Sequence, residues 1–196
     1  MKIIVGLGNP GEEYIETRHN TGRIILESVR KSFDFPEWEM KKNFAGLISE
    51  GKMGKEKVAL LCPETFMNKS GESVKKLITS IKKAEDLIVV YDDLDLGIGT
   101  LKISYNRSAG GHKGLESIIK SIKTEAFARL RIGISPTTAS GKVKRPHGSE
   151  DAVIDFILGK FKKAELETLK KLSKKAGEAL EVWANDGREK AMGEFN

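Results

Sequence analysis

The sequence predicts an α/β fold, a three-layer sandwich around a mostly parallel mixed sheet, in a single domain spanning residues 1–196. Three observations carry this reading. Apolar runs of strand length, hydrophobic enough to be buried on both faces, recur at 3–7, 58–62 and 87–91. Patterns of helical period lie between and after such runs, as in chains that build sheets through crossover helices. No internal repeat or linker divides the 196 residues, a length that fits one domain at ~100–200 residues each.

Residues 2–7 read as the first strand, emptying into Gly6-Leu7-Gly8-Asn9-Pro10-Gly11. A helix follows from Asn20, with Ile24, Ile25, Val29 and Phe33 at helical spacing and Asn20 or Thr21 as its cap. Pro36 ends that region. Extended segments at about 44–50 and 57–62 flank the turn-like stretch 51–55, and Pro63 stops the second. The loop Glu64–Gly71 then leads into a helix to about residue 81. Leu87–Tyr91 is the most strand-like run and ends on Asp92-Asp93-Leu94-Asp95. Another strand is expected at 100–105. A second glycine-rich loop, Arg107–Gly114, opens a helix whose apolar face is Leu115, Ile118, Ile119 and Ile122. The last strand is 127–134. The composition from Ser135 to Ser149 signals a mobile loop. Two helices close the chain, 150–158 and about 162–185, the second with Leu166, Leu169, Leu172, Ala176, Leu180 and Trp183 in one stripe.

Composition excludes several classes. At 39% hydrophobic the chain is not disordered, and no stretch approaches the ~18 apolar residues of a membrane span. One cysteine, Cys62, rules out an internal disulfide framework and fits a reducing cytosol. Met1-Lys2 is followed by only three apolar residues before the glycines, unlike a secretory signal, so a cytoplasmic location is expected. None of the three histidines (His19, His112, His147) has a Cys or His at ligand spacing, so no metal is expected. Lys and Arg exceed Asp and Glu by 34 − 28 = 6, a balance that suits a polyanionic partner, nucleic acid first.

Strands 3–7, 58–62 and 87–91 each end near a polar residue: Asn9, Asn68 and Asp92. In a parallel sheet such ends share one edge, where ligands bind. With His19 on the first loop, and the Gly110–Gly111 loop nearby, this points to a site of Asn9, His19, Asn68 and Asp92. Each has a plainer reading: Asp92 as a cap, the asparagines as turn residues, Phe66 and Met67 as core. The convergence favours chemistry. A histidine can take a proton from water near neutral pH, an aspartate on its other nitrogen fixes the tautomer, and Asn amides can stabilise a carbonyl oxygen that becomes negative. There is no G-x-S-x-G elbow, and Cys62 reads as a packed small hydrophobe, so water is the expected nucleophile on an ester or amide. Lys102, Arg107, Lys113, Arg131, Lys142, Lys144 and Arg145 are candidates for phosphate contacts. Gly6-x-Gly8-x-x-Gly11 formally matches the dinucleotide fingerprint, but Pro10 and seven more residues precede the helix, and no second strand ends in an acid ~20 residues on. In this setting Gly6, Gly8 and Gly11 serve to turn the backbone tightly.

These residues resemble the bacterial-type peptidyl-tRNA hydrolases. The resemblance rests on Val5–Gly11 with Tyr14 and Thr17–Gly22, on Pro63–Asn68 with Ser70-Gly71, and on Asp92–Asp95 with Gly97. It continues through Gly110–Leu115, Arg129–Ile134 and Val153–Gly159. It implies cleavage of the ester between a peptide and the 3′ ribose of tRNA, recycling tRNA from peptidyl-tRNA dropped by ribosomes. His19 would be the general base, Asp92 would orient it, and Asn9 and Asn68 would bind the peptide-ester region. Tyr14, Phe66 and Met67 would line the 3′-end site with Gly110, Gly111 and Lys113 beside the substrate, and Arg131 and the basic loop residues would face tRNA. It further implies a monomer with a peptidyl-tRNA hydrolase-like fold, no cofactor and no obligate protein partner. The family usually carries Asn where this chain has Lys113, which can donate but not accept and adds a charge, and His112 beside it is expected to play a supporting part. An RNA-binding protein without catalysis on the same scaffold is the alternative.

Overall fold

The computed structural model describes residues 1–146 and 149–196. Seven strands form one sheet: β1 (Lys2–Gly6), β2 (Glu39–Lys41), β3 (Gly46–Met53), β4 (Glu56–Pro63), β5 (Leu87–Gly97), β6 (Leu101–Tyr105) and β7 (Ala128–Ser135). Their order is β2-β3-β4-β1-β5-β7-β6. The four central strands, β4, β1, β5 and β7, pair in parallel; β2, β3 and β6 join at the edges through antiparallel pairings. Antiparallel partners need only a tight turn, and β3 meets β4 through Gly54-Lys55, with Gly54 at φ +56°. Six helices accompany the sheet among the described residues: α1 (Thr21–Ser32), α2 (Gly71–Leu77), α3 (Lys113–Ile122), α4 (Glu150–Leu158), α5 (Lys163–Asp186) and α6 (Arg188–Phe195).

The alternation of side chains along a strand divides the core into two layers. Ile4, Leu60, Ile88, Val90, Leu130 and Ile132 meet Ile25, Leu26 and Val29 of α1 and Leu169, Leu172, Leu180 and Trp183 of α5. Ile3, Val5, Leu61, Leu87 and Val89 meet Val74 of α2 and Leu115, Ile118 and Ile122 of α3. Each such aliphatic side chain contributes about 1.5–3 kcal/mol when fully buried. The three layers are therefore α1/α5, sheet, and α2/α3. At the β6 edge, the Asn196 side chain accepts from Ile103 N (2.7 Å) and donates to Ile103 O (3.0 Å). Among the described residues no helix is long and apolar enough to cross a membrane.

The structure revises the sequence reading at several points. β5 does not stop before the acidic run but continues to Gly97, because Asp92 and Asp93 stay in register with Ile132 and Gly133 of β7. The helix expected to reach residue 81 ends at Leu77. β2 and α6 are additional elements. The Asn20 side chain does not cap α1; it is used elsewhere, as described below. Within the expected loop 135–149, Ser135 belongs to β7, and Thr137 and Val143 form an antiparallel bridge closed by Lys144 N donating to Pro136 O. His147 lies outside the described residues.

Candidate active site

The loop after β1 is held by close approach of backbone to backbone. Gly22, in the first turn of α1, lies so near the sheet that a Cβ would sit 2.3 Å from Val90 O and 2.4 Å from Leu7 N. A Cβ on Gly6 would meet Gly22 O at 2.6 Å, and one on Gly8 would meet the Arg23 stem. Gly6 and Gly8 are thus close-approach glycines rather than turn glycines; of the three, only Gly11 has a positive φ, 110°. Asn20 fixes the loop by accepting from Asn9 N (2.8 Å) and donating to Asn9 O (2.9 Å). Asn9 Oδ1 in turn accepts from Met67 N (2.8 Å), which ties the first loop to the one after β4. Arg23 adds a second tie, donating to Asn9 O and pairing with Glu64.

This loop sets His19 in a short turn, Arg18–Asn20, against β5. His19 Nδ1 donates to the Asp92 carboxylate at 3.0 and 3.1 Å, and both residues are buried. His112, on the second glycine loop, also reaches Asp92, its Nε2 lying 3.1 Å from Oδ1. The tautomer of His112 follows from its other nitrogen. Nδ1 accepts from Gly114 N and Leu115 N as the N-cap of α3, so the proton resides on Nε2 and is donated to Asp92. Asp92 therefore lies between two N–H donors, with the imidazole rings 4.9 Å apart and Tyr91 edge-on to His112.

The electrostatics follow. Burial, the largest single influence on His19, lowers its pKa, but the charge and hydrogen bond of Asp92 together outweigh it and the net shift is upward. Burial alone would raise the Asp92 carboxyl; the two imidazoles reverse this and hold it well below the usual carboxylate range. His19, Asp92 and His112 place potential ligand atoms within 4.8 Å of one another. Those atoms are already committed to one another as N–H donors and carboxylate acceptor, and an ion ligated by His112 Nε2 would require the proton to move to the nitrogen that caps α3. The donor set is arranged for hydrogen bonding rather than ligation.

A cleft of about 590 Å³ opens over the pair. It is lined by His19, Asp92, Gly110, Gly111, His112 and Lys113 on one side and by Glu150, Val153, Ile154 and Ile157 of α4 on another. Of the basic residues singled out from the sequence, Arg107, Lys113, Arg131 and Arg145 line it; Arg131 pairs with Asp93 (2.7 Å) and Arg145 with Asp95 (3.0 Å). Lys113 is exposed and 3.4 Å from Glu116. Lys102, Lys142 and Lys144 are exposed but do not line the cleft. Asn9, Asn68, Tyr14, Phe66 and Met67 also lie outside its lining. Asn68 is exposed beside Met67, Phe66 is 57% exposed, and Met67 is 5% exposed, packed in the core layer beneath Gly114.

The sequence reading gave no role to Arg18, Ser104, Arg129 or the apolar face of α4, and only a supporting one to His112. For His112 a local signal existed: a polar side chain directly before a helix is a capping candidate. Arg129 is fully buried and donates to the carbonyls of Glu125, Phe127 and Arg107, holding the strand end beside the cleft. No sequence pattern distinguishes such an arginine from a surface one.

A histidine oriented by a buried carboxylate, facing a cleft at the carboxyl edge of a mixed sheet, is an arrangement that suits an enzyme using a general base. The comparisons with known proteins specify which. Residues 3–196 match the family model described as peptidyl-tRNA hydrolase, and the chain belongs to that family. It is 42% identical to the peptidyl-tRNA hydrolase of Desulfitobacterium hafniense over 197 residues, covering all of both chains. Identity to the Herpetosiphon aurantiacus peptidyl-tRNA hydrolase is 45% over 202 residues, covering all of this chain and 90% of that one. The crystal structure of the Acinetobacter baumannii peptidyl-tRNA hydrolase matches with a TM-score of 0.86 at 31% identity, covering 100% of this chain and 94% of that one.

Proposed function

We propose that this protein hydrolyses the ester between peptide and tRNA in peptidyl-tRNA, recycling tRNA after premature release from ribosomes. One observation carries the mechanism: His19 Nδ1 is held by Asp92 while His19 lines the cleft. With Nδ1 carrying the proton, Nε2 is the basic nitrogen, and it removes a proton from water as that water attacks the ester carbonyl. Asp92 stabilises the imidazolium that forms. His112 holds Asp92 in place from the other side. Asn9 and Asn68 bind the peptide-ester region. Support for Asn9 comes from its side-chain oxygen being fixed by Met67 N, which leaves its amide N–H groups as donors for a substrate carbonyl. Exposed Phe66, with Tyr14, offers a stacking surface for the 3′ end, Met67 supports that segment from beneath, and Gly110, Gly111 and Lys113 border the substrate. Arg107, Arg131 and Arg145, with Lys102, Lys142 and Lys144 further out, contact tRNA phosphates. In this reading residues 1–196 act as one domain, monomeric and cytoplasmic, with no cofactor.

Incubation of the purified protein with an N-acetyl-aminoacyl-tRNA tests the activity. Release of free tRNA and N-acetyl-amino acid without added metal or cofactor is the expected outcome. Binding of the substrate without release, at micromolar enzyme, would replace the hydrolase with an RNA binder.

A further inference from the structure

We propose that Arg18 is a positioning residue: it pins α4, the outer wall of the cleft, to the turn that carries His19. The inference rests on the hydrolase reading above. Arg18 is only 7% exposed, and its guanidinium reaches the junction of α4 and α5. It lies over the rings of Phe156 (4.6 Å) and Phe161 (5.2 Å) and pairs with Glu165 at 2.8 Å. One of its terminal nitrogens donates to Gly159 O (3.2 Å) and Lys160 O (2.8 Å), and its backbone N–H also donates to Gly159 O (3.1 Å). Glu165, besides taking the ion pair, accepts from Lys162 N (2.6 Å) at the start of α5. One side chain thus holds the end of α4, the start of α5 and the segment between them.

The dependence of α4 on this grip follows from burial. No residue of α4 is fully buried; only the half-buried Phe156 and Ile157 pack against the core, so the helix has a small share of it to hold it. Its principal packing partner is the Arg18–Asn20 turn. His19, in contrast, is fixed by Asp92, and Asn20 by the Asn9 backbone. Removing the Arg18 side chain therefore loosens the wall, which keeps only its half-buried contacts and the Thr17–Lys160 backbone bridge, and leaves the base in place. Arginine suits the task where lysine does not: a planar fork can donate to two carbonyls and a carboxylate while its face lies over aromatic rings.

The expected kinetic consequence is a rise in KM with little change in kcat, because a displaced wall weakens substrate binding without altering proton transfer. For Arg18→Gln, KM for N-acetyl-aminoacyl-tRNA is expected to rise about tenfold with kcat within about threefold, and the acid limb of the pH profile to stay where it is. Amide hydrogen exchange is expected to quicken in Glu150–Leu158 and not in α1. Arg18→Lys retains charge for Glu165 but not the fork, so it should restore only part of the loss. Glu165→Gln, which keeps an acceptor for Lys162 N, should shift KM in the same direction by less, and it decides the matter if Arg18→Gln does not fold. A fall in kcat at unchanged KM, a moved acid limb, or exchange that quickens equally in α1 and α4 would overturn the pin, as would wild-type behaviour. Failure of the wild-type protein to cleave would sink the hydrolase reading instead, and the exchange data would still judge the pin.

Discussion

The two walls of the cleft are built by different means. The inner wall comes from the sheet: Asp92 on β5, between β1 and β7, is bonded to His19 and His112, with Asp92 and His19 buried and His112 half-buried. The outer wall is α4, with no fully buried residue; besides the Thr17–Lys160 backbone bridge, its side-chain anchor is one arginine. The proposed base and its orienting carboxylate would tolerate little displacement, and both are buried. A wall that must admit a large substrate belongs to an element of low local stability. The contrast separates substitutions that change chemistry from those that change access.

The largest effect is expected at the inner wall. His19→Ala should lower turnover by ~10²–10⁴-fold with an unchanged fold, read from tRNA release and circular dichroism. Wild-type turnover would remove His19 from its role. Asp92→Asn should also reduce turnover, and its pH profile is more telling. In the wild type the net shift of His19 is upward, so the deprotonated base accumulates only above the ordinary imidazole value, and kcat/KM should rise with pH through a limb above ~6.5. Removing the carboxylate deletes both upward influences and leaves burial, which lowers the pKa, so the residual activity should keep its acid limb below ~6.5. A limb that does not move would assign it to another group.

Gly22→Ala tests whether the inner wall depends on backbone contact. With a Cβ meeting Val90 O at 2.3 Å, α1 must shift off the sheet, and denaturant unfolding should show a loss of about 1–3 kcal/mol or more. His112→Ala should cost ~1 kcal/mol through the lost cap of α3. It should also slow turnover, since Asp92 loses one of its two donors. At the outer wall, Ile154→Ser should change stability by less than ~0.5 kcal/mol, because Ile154 is exposed, and its effect should fall on KM. A stability loss equal to that of Gly22→Ala would erase the distinction between the walls.

Much of this was legible in the sequence because the inner wall is made of strong local signals. Ile3–Val5, Val58–Cys62 and Leu87–Tyr91 are buried-strand runs, and strands of such type in parallel bring their ends together; Asp92 and His19 meet as that argument requires. The extension of β5 was not legible. Asp is depleted in strands, and only the register with Ile132 and Gly133 keeps Asp92 and Asp93 extended. Nor could the sequence show that Asn20 spends its side chain on Asn9 rather than on its own helix, or that Met67 turns inward while Phe66 turns out. Those outcomes depend on which loops the sheet brings side by side. The pairing of Arg18 with Glu165 spans most of the chain and leaves no local pattern.

Asn196 has a consequence beyond packing. β6 is an outer strand, and an open outer strand offers its N–H and C=O groups to any extended peptide. By pairing with both backbone groups of Ile103, the Asn196 amide occupies the place a neighbouring strand would take. A single side-chain carboxamide would thus act as a molecular stopper against strand-to-strand self-association, and Asn196→Ala should lower the protein concentration at which light scattering first rises while leaving turnover of dilute enzyme untouched.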